Sequence, residues 1–331
     1  MRGTRWVLAL DVGGTNMVAA LFHEDTEDPV TLQSRPTPTD GGAERVVETG
    51  VQLLEAVRSR AEQDHGVESR RIVGVGIGVP GAVDPARGIV FLAPNLGWRH
   101  VPVRDLFLQR LDLPVVVDND ANCAALGEWW AGAGRGSRLM VGVTLGTGIG
   151  GAIIRKGRVF RGVSGAAGEV GHMTVQMGGR RCSCGNHGCL EAYASGTAIA
   201  SRARERVSEG GVSTLVELSE GKLDRITAAL VTQAAGSGDE LSMDVLAEAA
   251  RYLGAGLAGL VNVLNPDRIV LAGGVVQAGD LLLEPVRAEV RRRAFEVSAE
   301  ACVIAVARQP ELAGVRGAAL TFRREVLEGH R

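Results

Sequence analysis

Apolar residues along this chain form short runs that alternate with longer amphipathic stretches. In the first half, the runs predict a hairpin over 6–21 with a turn at 11–16, and strands at 30–35, 72–79, 89–91 and 115–117. Helical spacing of apolar residues predicts helices at about 42–63, 103–111 and 121–131. Strands and helices that alternate in this way indicate an α/β fold.

The second half repeats the opening pattern. An apolar run at 139–145, a glycine turn at 146–151 and a new strand at 152–154 lie about 133 positions after the first hairpin. The pattern then predicts strands at 268–271 and 302–306, and helices at 193–209, 223–236, 239–264, 280–294 and 314–327. We therefore expect two α/β lobes with a cleft between them, where a two-substrate enzyme would place its chemistry. The predicted lobes are 1–120, joined by the C-terminal helix 314–331, and 121–313.

Composition narrows the class of protein. The 331 residues suffice for two domains, and 45% hydrophobic with 22% charged residues is ordinary for a globular protein. A formal net charge of −2 argues against a nucleic-acid or membrane-surface partner. The apolar stretch after the N-terminus is too short for a signal peptide, and the most apolar helix is too short to span a membrane. We expect a cytoplasmic protein.

Glycine turns are the candidate phosphate-binding elements. The chain lacks the G-x-x-x-x-G-K-[ST] pattern, which excludes a P-loop. Two G-x-G-x-x-G matches, at 76–81 and 146–151, lead into a hairpin or a strand where a dinucleotide site needs a helix. The remaining candidates for phosphate binding are the hairpin turns, whose backbone N–H groups can point at an anion. Asp11, beside the first turn, could hold a hydrated Mg²⁺, although alone it is more typical of an Asx turn.

A polar run follows the strand at 115–117: Asp118, Asn119, Asp120, Ala121 and Asn122. Such residues between a strand and a helix are usually N-caps, but this run is longer than one cap requires. Asp120 at the end of a buried strand is a candidate general base. In phosphoryl transfer the attacking hydroxyl becomes acidic, so an ordinary carboxylate can accept its proton.

Four potential metal ligands lie close together in the sequence, namely His172, Cys182, Cys184 and Cys189. One imidazole and three thiolates match closed, tetrahedral, structural Zn²⁺; three reduced buried cysteines and an unrelated histidine are the alternative. The flanking Glu169 and Glu191 would each be surface residues if taken singly, but beside a metal loop they are candidate acceptors for sugar hydroxyls. Cys123 and Cys302 are predicted to pack in the core.

Together these motifs resemble the ROK family (repressor, open reading frame, kinase) over nearly the whole chain. The segment 11–15 is similar to the first phosphate motif of the family, 145–151 to the second, and 269–275 to the adenosine-side loop. Residues 169–172, with 182–185 and 188–191, are similar to the family signature. That combination is highly specific, whereas the glycine turns alone would not be.

The resemblance implies an actin-like, ribonuclease-H-like ATPase fold that uses ATP with Mg²⁺ and assembles as a homodimer or homotetramer. It implies that Asp120 is the catalytic base and that the sugar contacts are Gly81, Asn95, Asn119, Glu169, His172 and Glu191. Nucleotide-phosphate contacts would come from Asp11, Gly13, Gly14, Thr15, Asn16, Gly146, Thr147, Gly148, Gly273 and Gly274. The stretch 93–100 resembles bacterial glucokinases, which favours transfer of the γ-phosphoryl of ATP to the 6-hydroxyl of glucose, the first step of glycolysis.

Two departures and several alternatives remain open. Asn16 stands where many members carry Lys, so backbone amides and Mg²⁺ would have to meet the phosphate charge; Ser183 replaces a common glycine. The sugar could instead be mannose, N-acetylglucosamine, N-acetylmannosamine or fructose, and polyphosphate could be the donor. The family also includes sugar-responsive repressors with a winged helix-turn-helix, for which the ten residues before Asp11 leave no room. A non-catalytic sugar sensor is a further alternative.

Overall fold

The computed structural model describes residues 4–329, which separate by their contacts into two compact units. The first unit comprises 4–136, 157–167 and 308–329, and the second comprises 137–156 and 168–307. The strands are β1 (Trp6–Val12), β2 (Asn16–His23), β3 (Pro29–Pro36), β4 (Ile72–Val79), β5 (Ala82–Asp84), β6 (Ile89–Ala93), β7 (Trp98–Val101), β8 (Val115–Asn119), β9 (Leu139–Leu145), β10 (Ile149–Arg155), β11 (Arg158–Val159), β12 (Arg268–Ala272) and β13 (Val303–Val306). The α-helices are α1 (Gly42–His65), α2 (Val103–Leu108), α3 (Asp120–Ala131), α4 (Glu191–Ala194), α5 (Gly196–Ser208), α6 (Leu215–Leu218), α7 (Ala228–Gly236), α8 (Glu240–Leu264), α9 (Asp280–Arg293), α10 (Glu296–Ala301) and α11 (Pro310–Phe322).

The first unit is built on a five-stranded sheet in the order β3-β2-β1-β4-β8. β1 and β2 form an antiparallel hairpin, whereas β1, β4 and β8 run parallel. Successive side chains of β1 point to opposite faces of the sheet. Leu8 and Leu10 pack in the core on the α1 side, while Val7 and Ala9 pack with Cys123 of α3 and residues of α11. Because both faces of the sheet are covered at β1, the sequence of this strand is a continuous apolar run and does not alternate between apolar and polar residues.

Glycines allow the helices α3 and α11 to approach each other and the sheet closely. A Cβ atom on Gly317 of α11 would lie 1.7 Å from the carbonyl oxygen of Cys123, and one on Gly76 of β4 would lie 1.9 Å from that of Ala318. Any larger residue would have to displace backbone. The sheet edge that carries the candidate residues is therefore backed by tightly packed helices.

The second unit repeats the topology of the first. Its strands β9 and β10 form an antiparallel hairpin, and β9, β12 and β13 run parallel in the order β10-β9-β12-β13. This order corresponds to β2-β1-β4-β8, so the internal duplication predicted from the two glycine hairpins is confirmed. The long helix α8 supplies much of the core of this unit. Asp239 caps its N-terminus by accepting a hydrogen bond from the backbone N–H of Ser242.

Several predicted boundaries differ from those in the structure. The predicted helix 223–236 begins only at Ala228, because the side chain of Thr227 caps it there and 223–225 is a single 3₁₀ turn. The predicted helix 193–209 is divided into α4 and α5, because Ser195 starts a new helix. Cys302 lies just before β13, partly buried, and α10 was not predicted. The contact units place α3 and residues 157–167 in the first unit, whereas the predicted boundary lies after residue 120; residues 308–329, which include the C-terminal helix expected to join the first lobe, are also in the first unit.

Within residues 4–329, no helix combines the length and the hydrophobicity needed to cross a membrane.

Candidate active site and metal site

In the first unit, the candidate residues lie where three parallel strands end at the same sheet edge. β1 leads into the turn 13–15, β4 into Pro80 and Gly81, and β8 into Asp120. Cross-strand pairing aligns Asp11 with Gly78 and Gly78 with Asp118. Ligands of open α/β sheets bind beyond the carboxyl ends of the parallel strands. The sheet thus brings together Asp11, Gly81 and Asp120, which are far apart in the sequence.

Asp120 begins α3 directly after Asn119, the N-cap residue of that helix. Its Oδ1 accepts hydrogen bonds from Nδ2 of Asn119 at 3.0 Å and from the backbone N–H of Ala121 at 2.8 Å. Asn119 Nδ2 also donates to the carbonyl oxygen of Gly81 at 2.9 Å, and its Oδ1 accepts from the backbone N–H of Asn122 at 3.0 Å. The carboxylate of Asp120 is therefore held in a fixed orientation at a half-buried strand end.

Asp11 occupies an unusual electrostatic environment. Burial, together with the negative charge of Asp120, raises the pKa of Asp11 to about 7. Gly314 of α11 abuts this carboxylate: a Cβ atom there would lie 2.0 Å from Asp11 Oδ2. A cation near Asp11 would relieve the repulsion between the two carboxylates. Asp11 is accordingly suited to hold a positively charged group, directly or through water.

Only glycine fits at position 81, because of the backbone conformation there and the neighbouring backbone. Its φ of 98° lies in the left-handed region, and a Cβ atom would lie 2.2 Å from the carbonyl oxygen of Leu92. Asn95 lies exposed in a single 3₁₀ turn, Pro94–Leu96. Asn95 and Gly14 both line a cavity of about 240 Å³, together with Pro38, Thr39, Gly42, Val46, Leu96 and Gly97. A predicted sugar contact and a predicted phosphate turn thus face the same cavity.

The first glycine turn is braced from outside. The backbone N–H of Gly13 donates to the carbonyl oxygen of Asn16 at 2.9 Å. Thr37, which no sequence motif marks, donates its hydroxyl to the carbonyl oxygen of Gly13 at 2.7 Å and its N–H to the carbonyl oxygen of Thr15 at 2.8 Å. Gly14, Thr15 and Asn16 are exposed at the tip. The turn is held at its base, while its tip is accessible to a ligand.

The sequence also gave no indication of a buried ion pair beside the candidate base. Arg161 binds Asp118 in a bidentate fashion, with Nη1 to Oδ1 at 2.8 Å and Nη2 to Oδ2 at 2.7 Å. Only 2% of the Asp118 side chain is exposed. Asp118 Oδ1 also accepts from the backbone N–H of Asn119 at 2.7 Å and from Nδ2 of Asn122 at 3.0 Å. The two residues are 43 positions apart, so no local sequence pattern could reveal their contact.

In the second unit, two glycine segments meet at the carboxyl ends of β9 and β12. The turn at 146–148 is closed by the N–H of Gly146 donating to the carbonyl oxygen of Gly148 at 3.0 Å. Gly273 follows β12 with a φ of 97°, and a Cβ atom there would lie 2.3 Å from the carbonyl oxygen of Leu145. Gly274 is exposed beside it. The predicted phosphate turn and the predicted adenosine-side loop are therefore neighbours within this unit.

The four predicted metal ligands come together in space. The ligand atoms of His172, Cys182, Cys184 and Cys189 all lie within 4.8 Å of one another. His172 Nδ1 is 3.7 Å from Cys182 Sγ, and Cys184 Sγ is 3.7 Å from Cys189 Sγ. Ligands bound to one tetrahedral zinc at ordinary bond lengths would be separated by about 3.6–3.8 Å. The donor set and its spacing fit a zinc ion.

The two glutamates that flank this loop differ in their surroundings. Glu191 Oε2 accepts from the backbone N–H of Ile149 at 2.9 Å, and its Oε1 accepts from the hydroxyl of Ser183 at 3.0 Å. Glu191 therefore connects the loop that carries the candidate metal ligands to the end of the predicted phosphate turn. Glu169 is exposed just before the 3₁₀ turn that carries His172. Glu191 Oε1 also lies 3.7 Å from Cys182 Sγ, whereas Glu169 is near the cluster only in the sequence.

A model described as the ROK family matches residues 7–325, so the chain belongs to the ROK family. The glucokinase of Halalkalibacterium halodurans is 40% identical over 314 residues, which cover 95% of this chain and 93% of that protein. The crystal structure of a ROK family glucokinase from Streptomyces griseus, in complex with glucose and AMPPNP, has a TM-score of 0.80 and 37% identity, and the match covers 97% of this chain and 100% of that one.

A ROK family transcriptional regulator, a homologue of the E. coli MLC protein, is also similar in structure. Its TM-score is 0.82 at 28% identity, and the match covers 95% of this chain and 77% of that one. These neighbours confirm the mixed α/β, actin-like ATPase fold predicted for the family. Because kinases and a regulator share this fold, the fold alone does not define the activity.

Proposed function

We propose that this protein is an ATP-dependent hexose kinase that transfers the γ-phosphoryl group of ATP to the 6-hydroxyl of glucose. The observation that carries the proposal is the fixed carboxylate of Asp120 at the sheet edge, with Asn119 and Gly81 bonded beside it. Similarity over almost the full length to proteins named glucokinase supports the substrate class. A carboxylate held at that position suits acceptance of a proton from a hydroxyl.

In the proposed reaction, Asp120 accepts the proton of the sugar hydroxyl as its oxygen attacks the γ-phosphorus. The new O–P bond forms while the bond from the γ-phosphorus to the bridging oxygen breaks, and ADP leaves. Magnesium bound with ATP would supply neutralising charge on the phosphates, and we assign Asp11 to hold it through water. With Asn16 in place of a lysine, we assign the remaining phosphate contacts to backbone N–H groups at the tips of the turns 13–15 and 146–148, where Gly14, Thr15 and Thr147 are exposed.

The sugar-binding assignments rest on family resemblance and on local geometry. We propose that the hydroxyls of the sugar are bound by Asn95, Asn119, Glu169, His172 and Glu191, with Gly81 approaching through its backbone. The constrained φ of Gly81 supports a close backbone approach. Carboxylate and amide groups held by their neighbours can distinguish hydroxyls, because a site built to hydrogen-bond a hydroxyl rejects sugars that lack it.

We further propose that His172, Cys182, Cys184 and Cys189 hold one structural zinc. The spacing of about one tetrahedral edge between ligand atoms supports this assignment. Since the protein fills all four positions, no position is open for a catalytic water, and the ion would stabilise the loop without taking part in the reaction. His172 Nδ1 faces the cysteine cluster and is the nitrogen that we assign to the metal. The other ring nitrogen, Nε2, would then be available for a hydrogen bond with a sugar hydroxyl.

The test of the function is the Asp120→Asn variant in a coupled ATP assay with glucose. We expect a fall in kcat of at least about 100-fold with unchanged folding, because general-base catalysis typically contributes that much. Asp112→Asn, an exposed aspartate in the same unit, is the matched control and should retain full activity. Activity near that of the wild type in Asp120→Asn would remove the base assignment.

The same coupled assay measures which sugar and which phosphoryl donor the enzyme prefers. A panel of glucose, mannose, N-acetylglucosamine, N-acetylmannosamine and fructose, each with ATP and with polyphosphate, compares the kcat/KM values directly. We expect glucose with ATP to give the highest value. A higher value for an amino sugar would retain the kinase proposal and change the substrate.

A non-catalytic sugar sensor is the second candidate, and the similarity to a transcriptional regulator favours it. Calorimetric titration with glucose separates the two functions. Binding without turnover under any donor would support a sensor, and a specific shift of promoter DNA on a gel would support a regulator. Turnover with ATP would exclude both.

A further inference from the structure

We propose that Arg161 and Asp118 form a positioning pair for the base Asp120. Arg161 holds the buried Asp118 carboxylate, and Asp118 holds the Asn119–Asp120 turn in the orientation that proton transfer requires. The inference rests on the proposed kinase function and adds two residues to its machinery. Neither residue would contact the substrate, so both would act through Asp120.

The hydrogen bonds run from Arg161 to the base without a gap. Arg161 donates twice to Asp118, and Asp118 Oδ1 accepts the backbone N–H of Asn119 at 2.7 Å. The side chain of Asn119 then donates to Asp120 Oδ1 at 3.0 Å and to the carbonyl oxygen of Gly81. A second branch runs from Asp118 through Asn122, whose backbone N–H returns to Asn119. Rotation of the Asp118 carboxylate would disturb each of these contacts.

Stability alone is a weak explanation for this pair. A buried ion pair pays a desolvation cost that often equals its Coulombic gain, and apolar replacements of similar size are frequently no less stable. The Asp118 side chain is almost fully buried, and that of Arg161 is 27% exposed. Unlike apolar residues, the pair provides a charged acceptor with fixed geometry for the backbone N–H of Asn119, the residue before the base.

Charge gives the pair a second effect on Asp120. The buried thiol of Cys123 on α3 lies among the carboxylates of Asp11, Asp118 and Asp120 and the guanidinium of Arg161, which is also 3.7 Å from Glu325. Arg161 is the cation among them. Without it, the Asp118 carboxylate would disfavour the ionised form of Asp120, which is the form that accepts a proton.

The segment that carries Arg161 is itself an insertion. Residues 157–167 belong to the first unit, although the stretches before and after them, 137–156 and 168–307, belong to the second. Within the segment, the N–H of Ala167 donates to the carbonyl oxygen of Arg161 at 3.1 Å, which closes the loop. The side chain of Arg161 attaches this loop to the strand that ends in the base.

The experiment is a double-mutant cycle on full-length protein: Arg161→Met, Asp118→Asn and the combination of both. We expect each single variant to lower kcat by about 10- to 100-fold, because small misplacements of a catalytic group have effects of that size. The KM values for sugar and ATP should stay within about threefold of the wild type, since the pair does not contact either substrate. Arg135→Met, which removes an ion pair with Glu27 elsewhere in the unit, is the matched control.

The pH profile distinguishes positioning from a merely structural role. Arg161→Met should move the acidic limb of kcat/KM upward by about one pH unit, because the charge of Asp118 is then uncompensated. Asp118→Asn should move it downward, because the charge of Arg161 is then unopposed. The double variant should return the limb toward its original position, and Arg161→Lys, which retains the charge, should not move it.

These variants test the positioning role of Arg161 and Asp118 separately from the proposed kinase function. If Asp120→Asn is inactive while both single variants keep the wild-type kcat and pH profile, the positioning role is wrong and the base assignment stands. If either single variant fails to fold, the double variant and Arg161→Lys decide. A folded double variant whose kcat is lowered by about 10-fold or more while its limb matches that of the control, together with an unshifted Arg161→Lys profile, supports the inference, and a double variant with the wild-type kcat overturns it.

Discussion

The carboxylate of Glu191 accepts a hydrogen bond from the backbone N–H of Ile149 at 2.9 Å, at the end of the second glycine turn. Gly148 makes room for this contact, since a Cβ atom there would lie 2.5 Å from Glu191 Oε2. The other carboxylate oxygen accepts from the hydroxyl of Ser183, between the first two cysteines of the metal cluster. One side chain therefore connects the metal loop with the proposed phosphate-binding turn.

Glu191→Ala should raise the KM for ATP as well as the KM for the sugar, because the turn loses its external acceptor. Loss of one such hydrogen bond, worth about 1 kcal/mol, corresponds to an increase of about fivefold. Glu191→Gln keeps an oxygen for the N–H of Ile149 and should leave the KM for ATP near that of the wild type. Steady-state kinetics with each substrate varied in turn provides the measurement. A change confined to the sugar in Glu191→Ala would show that the link to the turn has no effect on ATP.

Gly317→Ala should destabilise the first unit, because the added methyl group would lie 1.7 Å from the carbonyl oxygen of Cys123. Overpacking of this kind typically costs about 1–3 kcal/mol. Gly236→Ala is the matched control: it also lies in a helix, but its Cβ atom would have no neighbour within 4 Å. Urea unfolding of both variants provides the comparison. Equal midpoints would contradict the close packing of α3 and α11.

The range over which residues interact explains which features the sequence could predict. The metal ligands lie between 172 and 189, so their spacing alone indicated a site, and the two glycine hairpins are visible as local patterns. Arg161 and Asp118 meet across 43 positions, and Thr37 braces a turn 24 residues before it. Such contacts depend on the tertiary fold and leave no periodic signal. Helix boundaries were missed where single caps, such as Ser195, decide them.

The N-cap of α8 should make stability depend on pH. Burial would raise the pKa of Asp239, but hydrogen bonds from Ser242, Thr214 and Ser213 outweigh it and lower the pKa below its usual 3.8. A carboxyl group with a lowered pKa in the folded state stabilises fully above its unfolded pKa, and this stabilisation is lost as the pH falls through the folded pKa. An amide nitrogen in place of Oδ2 cannot accept from Thr214, so Asp239→Asn should cost about 1–2 kcal/mol near pH 7, and its deficit should shrink below about pH 4.

Urea unfolding at several pH values measures that difference. Asp244→Asn is the control, since 75% of the Asp244 side chain is exposed and its partner Arg206 keeps its ion pair with Glu248. Surface pairs of this kind contribute little, so this variant should follow the wild type at every pH. A deficit in Asp239→Asn that is equally large at low pH would mean that the charge of the cap is not what stabilises the helix.

The zinc assignment is tested most directly by removing one proposed metal ligand, Cys184. This residue is exposed, whereas Cys182 and Cys189 are buried. Cys184→Ser leaves no cavity in the core, so any loss of stability must come from the metal. We expect the purified wild type to contain one zinc per chain by elemental analysis, and the variant to contain much less. Binding of a structural zinc is typically worth about 10–16 kcal/mol in small domains, so the Tm should also fall clearly.

Cys302→Ser is the matched control for this loss. Cys302 lies in the same unit, and burial raises the pKa of its thiol to about 11, which keeps it protonated near neutral pH. A protonated thiol is a poor metal ligand, so this variant should keep its zinc. The wild type treated with a chelator should reproduce the Tm of Cys184→Ser, because both lack the same ion. Full zinc content and an unchanged Tm in Cys184→Ser would show that the four side chains lie close together for another reason.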